Sequence, residues 1–118
     1  MQHLKGKAQA LCKRSGHDTN FHGAISFLNR RPVGYGWNSN KVHGGIFKKY
    51  GQKSHHAETH AMMGVSKANS MLVVRISRKD GTLTMSKPCP LCQNFLRDKG
   101  IKKVYYSDWD SSIQEMRL

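Results

Sequence analysis

The sequence predicts an α/β domain in which helices pack on a mixed central sheet. Two strand patterns, Ala24 to Asn29 and Val33 to Trp37, are separated by only three residues and predict an opening hairpin. Helix and strand patterns alternate after that hairpin, which is typical of a layered α/β domain. A chain of 118 residues holds one core of this kind, so we expect a single domain over residues 1–118.

The first helix is expected before the hairpin, over residues 4–14. Leu4, Ala8 and Leu11 recur at helical spacing and form one apolar stripe. A second helix is expected over residues 56–67, with an inward face made by Ala57, Ala61, Val65 and Ala68. The remaining patterns predict a strand over 71–77, a helix over 90–99, a strand over 102–107 and a short helix in the tail, 108–118.

Two short motifs supply the ligands of a catalytic metal site. His56-Ala57-Glu58 contributes an imidazole and a carboxylate, and Pro88-Cys89-Pro90-Leu91-Cys92 contributes two thiols. The histidine and the two cysteines leave one position of a tetrahedral zinc ion open for water, whereas four protein ligands normally close a structural site. The cysteines stand three apart, so both sulfurs lie on one side of a helix that begins at Cys89. Glu58 is then placed to handle protons.

Other uses of these residues stay open. A structural zinc site would need a fourth protein ligand, which Cys12, His55 or His60 would have to provide. A thioredoxin-like pair of cysteines would leave the histidine and the glutamate without a role. His60 lies one helical turn after His56, but Glu58 stands at the wrong offset for a di-histidine H-E-x-x-H site. Otherwise Cys12 is expected to be a small buried core residue.

The paired motifs resemble those of the cytidine deaminase superfamily, which includes deoxycytidylate, tRNA adenosine and polynucleotide cytosine deaminases. The resemblance extends from about Ala24 to Ser107. It includes Gly34-Tyr35-Gly36-Trp37-Asn38, which is similar to a strand whose final asparagine contacts the substrate. The resemblance implies a three-layer α/β/α domain that binds Zn²⁺ and deaminates a nucleobase.

The same resemblance implies where the base is held. Asn38 is the expected substrate contact, and the backbone around Ala57 and an oxygen of Ser86 or Lys87 are expected to hold the polar edge of the base. Tyr106 ends the fourth strand beside the expected pocket, where it either stacks on a base or serves as an ordinary strand aromatic.

Glu58 is expected to act as a proton shuttle in such a site. It would take a proton from the attacking water, protonate the ring nitrogen beside the reacting carbon, and later help the amine leave as ammonia. Without this protonation the ring is a poor electrophile, so the carboxylate is essential to the predicted reaction.

The charge of the chain points to a phosphate-bearing partner. Lysine and arginine number 20 against 7 acidic residues, a net charge of +13, and up to residue 56 ten basic residues accompany a single acid. Such a field favours binding to a phosphate backbone, although basic proteins can also be soluble without that purpose. Residues 39–55 form a long polar loop that is expected to overhang the site. The expected nucleic-acid contacts are Arg30, Arg31, Lys48 and Lys49.

These observations predict a zinc-dependent hydrolytic deaminase that converts cytosine to uracil in single-stranded DNA or RNA. The alternative is a deaminase of free deoxycytidine or dCMP, in which the basic residues hold one phosphate. A second alternative is a non-enzymatic, zinc-stabilised nucleic-acid-binding module. The chain fits no branch of the superfamily cleanly, because Met85-Ser86-Lys87 stands where animal polynucleotide deaminases have Ser-Trp-Ser.

Composition leads us to expect a cytoplasmic protein without membrane spans. No apolar run approaches the roughly 18 residues that a transmembrane helix needs. The first residues lack the apolar core of a signal peptide. Three cysteines, two of them predicted ligands, do not make a disulfide framework, which indicates a reducing compartment.

Overall fold

The computed structural model describes residues 2–14, 21–38, 57–77 and 79–118. Its helices are α1 Gln2–Cys12, α2 Ala57–Met62 and α3 Pro90–Asp98. Its strands are β1 Phe21–Leu28, β2 Arg31–Trp37, β3 Ser70–Ile76, β4 Leu83–Thr84, β5 Lys103–Ser107 and β6 Ile113–Arg117. The predictions made for His55, His56, Lys48, Lys49 and the loop over 39–55 lie outside the described residues.

The strands form one mixed sheet, as the sequence predicts. Its order is β2-β1-β3-β5-β6, and β4 pairs with β3 outside this path. β3 and β5 run parallel, whereas the other pairs are antiparallel. The parallel pair requires a crossover, which α3 provides between the two strands.

Helices cover both faces of the sheet, so the predicted three-layer α/β/α arrangement is confirmed. Successive residues of a strand point to opposite faces. Ile25 and Leu72 pack with α1 in one buried cluster. Ala24 and Val73 pack with α2 and α3 in another. One helix therefore lies on one face of the sheet, and the two helices that carry the metal-binding motifs lie on the other.

Glycines in β2 bring α2 into direct contact with the sheet. A Cβ atom on Gly36 would lie 2.5 Å from the Ala57 carbonyl oxygen, and it would also clash with the Ala61 nitrogen. A Cβ atom on Gly34 would clash with the Ala61 carbonyl oxygen in the same way. Because no side chain separates the two backbones here, the start of α2 is held against the end of β2.

The second helix is shorter than the sequence predicts. It ends at Met62, and the amides of Met63 and Val65 bond to carbonyl groups only three residues back. Gly64 follows with φ 74°, a left-handed conformation that stops a helix. The predicted helix over 56–67 is therefore wrong in its second half, although Ala68 is still buried in the same core.

The tail forms a strand, so the prediction of a terminal helix is wrong. Residues 108–112 make a tight turn, and β6 then pairs antiparallel with β5. Ile113 and Met116 stand three apart, which suits a helix, but each packs against a different core cluster on opposite faces of the sheet. Pairing with the open edge of β5 gives the segment more backbone hydrogen bonds than one isolated turn of helix.

No helix in the described ranges is long and apolar enough to cross a membrane.

Candidate active site

The predicted motifs meet at the edge of the sheet where strands β2, β3 and β5 end. Strand pairing aligns Gly36 with Ala24, Ala24 with Val73, and Val73 with Tyr106 in one row across the sheet. The start of α2 packs against Gly36 in this row. The loop before α3 reaches the same edge, where the Ser86 amide donates a hydrogen bond to the last residue of β5. This edge is the carboxyl end of the parallel strands, the usual position of sites in open α/β sheets.

Cys92 contacts both Cys89 and Glu58 at this edge. Glu58 is 5% exposed and Cys92 is fully buried, whereas Cys89 is exposed at the N-cap of α3. A hydrogen bond to Cys89, then burial, and then the negative charge of Glu58 raise the pKa of the Cys92 thiol. The structure therefore brings together one predicted catalytic carboxylate and both predicted sulfur ligands.

These donors fit a soft divalent cation. Two thiols and a carboxylate, of which Cys92 and Glu58 are buried, repel one another once they ionise, and a bound cation reverses that repulsion. Neither cysteine forms a disulfide. No group of three His, Cys, Asp or Glu side chains within the described ranges could hold a metal alone. The site therefore needs another ligand, and His56, directly before Ala57, stays the predicted one.

Cys12 cannot act as a fourth ligand. It is fully buried on the α1 face of the sheet, where its thiol donates to the Val74 carbonyl at 3.6 Å. Its prediction as a buried core residue is confirmed.

His60 is engaged by the end of β2. The Trp37 amide donates to His60 Nδ1 at 3.0 Å, and the two rings pack edge to face with their centroids 4.4 Å apart. This nitrogen is thus used to hold α2 against β2.

Asn38 follows β2 and is held in a defined orientation. It is 6% exposed, and its Oδ1 accepts a hydrogen bond of 3.0 Å from the His22 amide. Ala57 is fully buried at the start of α2, beside Gly36. Both predicted substrate contacts therefore lie at the edge that carries Glu58.

Ser86 ties the loop before Cys89 to the sheet. Its hydroxyl donates to the Val73 carbonyl at 2.8 Å and accepts from the Ser107 amide at 2.8 Å. Both serines are buried. Ser107, which the sequence does not single out, extends this link by donating to the Thr84 carbonyl at 2.6 Å. The loop that carries the first cysteine is thereby fixed to the ends of two strands.

Tyr106 lies on the face of the sheet that carries α2 and α3. It is two residues after Val104, which packs in the core under those helices, so both side chains point to that face. Tyr105 points to the α1 face and packs against the other cluster. The structure thus places Tyr106, and not its neighbour, on the same side as Glu58.

Arg30 and Arg31 are far from this edge. They lie at the hairpin between β1 and β2, and β1 runs away from the site. The seven steps from His22 to Asn29 span roughly 23 Å at about 3.3 Å per residue. The structure therefore does not bring these two arginines to the cysteines.

Other basic groups lie nearer to the site, beside aromatic rings. Lys7 Nζ lies 4.6 Å from the centroid of the Tyr35 ring and donates to its hydroxyl at 3.2 Å. The Arg14 guanidinium lies 5.3 Å from the centroid of the Trp37 ring, one residue before Asn38. These pairs form a stripe that we call the basic–aromatic stripe (Lys7, Arg14, Tyr35 and Trp37).

Sequence reasoning also missed Arg75 and His22. They are paired across β3 and β1, two residues beyond Val73 and Ala24 toward the site. Arg75 is the only charged residue of β3, and apart from Ser70 the other residues of this strand are apolar. A charge in such a strand is a sign of a functional role that the sequence did contain. That it faces His22 follows from the strand register, which the sequence does not reveal.

A family model matches most of the chain. Residues 1–108 match the family described as the cytidine and deoxycytidylate deaminase zinc-binding region. The chain belongs to this family. Zinc is accordingly the metal of the site. No curated protein matches the chain.

Solved structures show the same deaminase fold. A cytidine deaminase from Burkholderia pseudomallei is 16% identical, with a TM-score of 0.71 over 98% of this chain and 91% of that one. A dCMP deaminase from the cyanophage S-TIM5 is 22% identical, with a TM-score of 0.66 over 92% of this chain and 82% of that one. A cytidine deaminase from Mycobacterium tuberculosis is 17% identical, with a TM-score of 0.64 over 98% and 88%.

Proposed function

We propose that this member of the deaminase family hydrolyses cytosine to uracil and ammonia within single-stranded nucleic acid. The buried carboxylate of Glu58, in contact with the thiol of Cys92, carries the proposal. A carboxylate buried beside metal-binding thiols is costly unless it is used, since burial favours its neutral form. A purely structural zinc module would gain nothing from it.

Each residue of the motifs has a role in this proposal. His56, Cys89 and Cys92 hold the zinc ion. Zinc in an open site lowers the pKa of a coordinated water, so that a nucleophile is available near neutral pH. Glu58 takes a proton from the attacking water and delivers it to the ring nitrogen next to the reacting carbon. After the oxygen has bonded to the ring carbon, Glu58 takes the proton of the new hydroxyl and passes it to the amino nitrogen, so that the carbon–nitrogen bond breaks, ammonia leaves and a carbonyl remains.

The surrounding residues would bind and orient the base. Asn38 offers a preoriented amide, the backbone at Ala57 and an oxygen of Ser86 or Lys87 meet the polar edge of the ring, and Tyr106 stacks on its face. Because the Ser86 hydroxyl is used within the protein, its backbone carbonyl is the better candidate for the contact.

The basic–aromatic stripe supports a polymer as substrate. Proteins that bind single strands combine cationic groups that follow the phosphates with rings on which bases stack. Lys7, Arg14, Tyr35 and Trp37 supply both on the α1 face of the sheet, beside the end of β2 that leads to Asn38. Lys48 and Lys49 would extend this track in the loop, whereas Arg30 and Arg31 would reach only nucleotides distant from the target base.

A substrate panel tests the proposal. Zinc-loaded protein is incubated with cytidine, deoxycytidine, their monophosphates, and single-stranded DNA and RNA of one sequence with a single cytosine, and uracil formation is measured. We expect the highest kcat/KM with a strand. Faster turnover of dCMP than of any strand would favour the free-nucleotide alternative. No turnover of any substrate, with zinc bound, would favour the non-enzymatic module.

A further inference from the structure

One arginine of β3, Arg75, points to the face of the sheet that carries the site, and its Nε atom has no partner among the described residues. Arg75 follows Val73 by two residues in β3, so both side chains point to the face that carries α2 and α3. It is two residues closer to the carboxyl end of β3 than Val73, toward the edge where Glu58 and the cysteines lie. Its Cα partners are His22 on β1 and Thr84 on β4, and neither is an anion.

The Nε atom of Arg75 is buried and has no hydrogen-bond partner in the described part of the chain. It is the sole buried side-chain nitrogen or oxygen there of which this is true. A buried donor on a charged group is costly when it is left unpaired. Such a group calls for a partner outside the fold, such as a water molecule, an ion or a ligand.

The backbone of Arg75 is held rigidly. Its amide donates to Ser107 Oγ at 3.2 Å, and Ser107 is part of the buried link to Ser86. On the other side, His22 is hydrogen-bonded through its amide to Asn38. Directly opposed residues of antiparallel strands have Cβ atoms about 5 Å apart. Arg75 therefore has a fixed backbone, and its side chain starts beside the residue that orients Asn38.

We propose that the Arg75 guanidinium binds the phosphate next to the sugar of the target nucleoside. This inference rests on the proposed function, in which Asn38 contacts the base. A guanidinium matches two phosphate oxygens with two parallel N–H donors, and its charge is not lost at any physiological pH. In a nucleotide, the phosphate is one sugar away from the base. A cation close to the residue that contacts the base is therefore well placed to bind this phosphate.

Two substrates carry this chemistry, and the experiment separates them. The phosphate is either the free 5′-phosphate of dCMP or the backbone phosphate on the 5′ side of the target in a strand. Arg75→Gln removes the charge and keeps hydrogen-bonding capacity, while Arg75→Lys keeps the charge and removes the fork. Arg97→Gln is the matched control, because Arg97 is an exposed arginine on α3 that bonds to Asn94.

The measurement is kcat/KM for deoxycytidine, dCMP, and strands with or without a phosphate 5′ to the single target. For Arg75→Gln we expect the ratio of phosphorylated to unphosphorylated substrate to fall roughly 10- to 100-fold, the usual effect of losing one charged hydrogen bond. The ratio for Arg75→Lys should lie between those of Arg75→Gln and the unmodified protein. Arg97→Gln should keep the ratio of the unmodified protein. A fall with strands alone, or with dCMP alone, identifies the source of the phosphate. An equal loss on every substrate overturns the proposal and makes Arg75 structural.

Product binding provides a readout that needs neither turnover nor a variant. Calorimetry on the unmodified, zinc-loaded protein compares deoxyuridine, dUMP and a strand that contains deoxyuridine. Tighter binding of a phosphorylated product, by roughly tenfold or more, is expected even if the substrate panel finds no deamination. Equal affinity for deoxyuridine and both phosphorylated products contradicts the proposal, whether or not the variants fold.

Discussion

The three cysteines show how the position of a single residue decides its chemistry. Cys12 is buried in the core on the α1 face, and burial raises its pKa to about 12 from the usual 9.0. Cys89 is exposed at the N-cap of α3, beside the buried Cys92. The thiolate is the form that reacts and binds metal, so a raised pKa keeps Cys12 inert at neutral pH.

Alkylation with iodoacetamide at about pH 8 should therefore separate the three thiols. In zinc-loaded protein we expect slow labelling of all three, because the metal protects Cys89 and Cys92. Chelation of zinc should release Cys89 to rapid labelling, while Cys12 reacts only after unfolding. Mass spectrometry of peptides measures each site. Rapid labelling of Cys12 in folded protein, or no effect of chelation on Cys89, would count against these assignments.

At the scale of elements, the close approach of α2 to β2 positions the catalytic carboxylate. The contact depends on Gly36, where a Cβ atom would strike the backbone of both Ala57 and Ala61. Those backbone atoms cannot move without shifting α2, and Glu58 follows Ala57 directly. Stability and catalysis are therefore expected to depend on the same glycine.

Gly36→Ala should lower the free energy of unfolding by about 1–3 kcal/mol, as overpacking commonly does. It should also reduce deamination by more than the loss of folded protein explains, because Glu58 is displaced. Gly6→Ala is the matched control, since a Cβ atom on Gly6 meets nothing within 4 Å and alanine favours a helix by about 0.5–1 kcal/mol. Denaturant titration and kcat of both variants test this. An unchanged Gly36→Ala protein would refute the contact.

The sequence predicts some of these elements better than others, for physical reasons. The opening hairpin and β3 have strong local patterns, and both are confirmed with bounds shifted by no more than three residues. The end of α2 depends on one glycine in a left-handed conformation, and β6 depends on an edge of β5 that no local pattern describes. The motif residues are adjacent in sequence and were found, whereas Arg75, His22 and Ser107 reach the site only through strand register.

At the scale of the whole molecule, the positive charge is spread over two ends of the sheet. Lys7 and Arg14 lie along the stripe beside the end of β2 that leads to Asn38, while Arg30 and Arg31 lie at the opposite hairpin. A short strand bound at the site cannot reach both. The length of the oligonucleotide should therefore determine which arginines and lysines matter.

Common binding sites for single strands span about 4 to 16 nucleotides, so strands of these two lengths are compared. Changing both Lys7 and Arg14 to Gln should weaken binding to the short strand and to the long strand. Neutralising Arg30 and Arg31 should weaken binding to the long strand alone. Each lost phosphate contact should make the log-log salt dependence shallower by roughly 0.7. Titrations at several salt concentrations measure both slopes. If the Arg30 and Arg31 variant also loses affinity for the short strand, the proposed path of the nucleic acid is wrong.

The central claim is that Glu58 is the proton shuttle of a zinc site and not a structural carboxylate, and Glu58→Gln tests it most directly. The substitution keeps the size of the side chain and removes its ability to accept and deliver protons. Zinc content per chain and deamination of the best substrate are measured on the same preparation. We predict full zinc occupancy, unchanged thermal unfolding and a rate lower by roughly 10²–10⁴-fold. Turnover within a few-fold of the unmodified protein, at equal zinc content, would contradict the account.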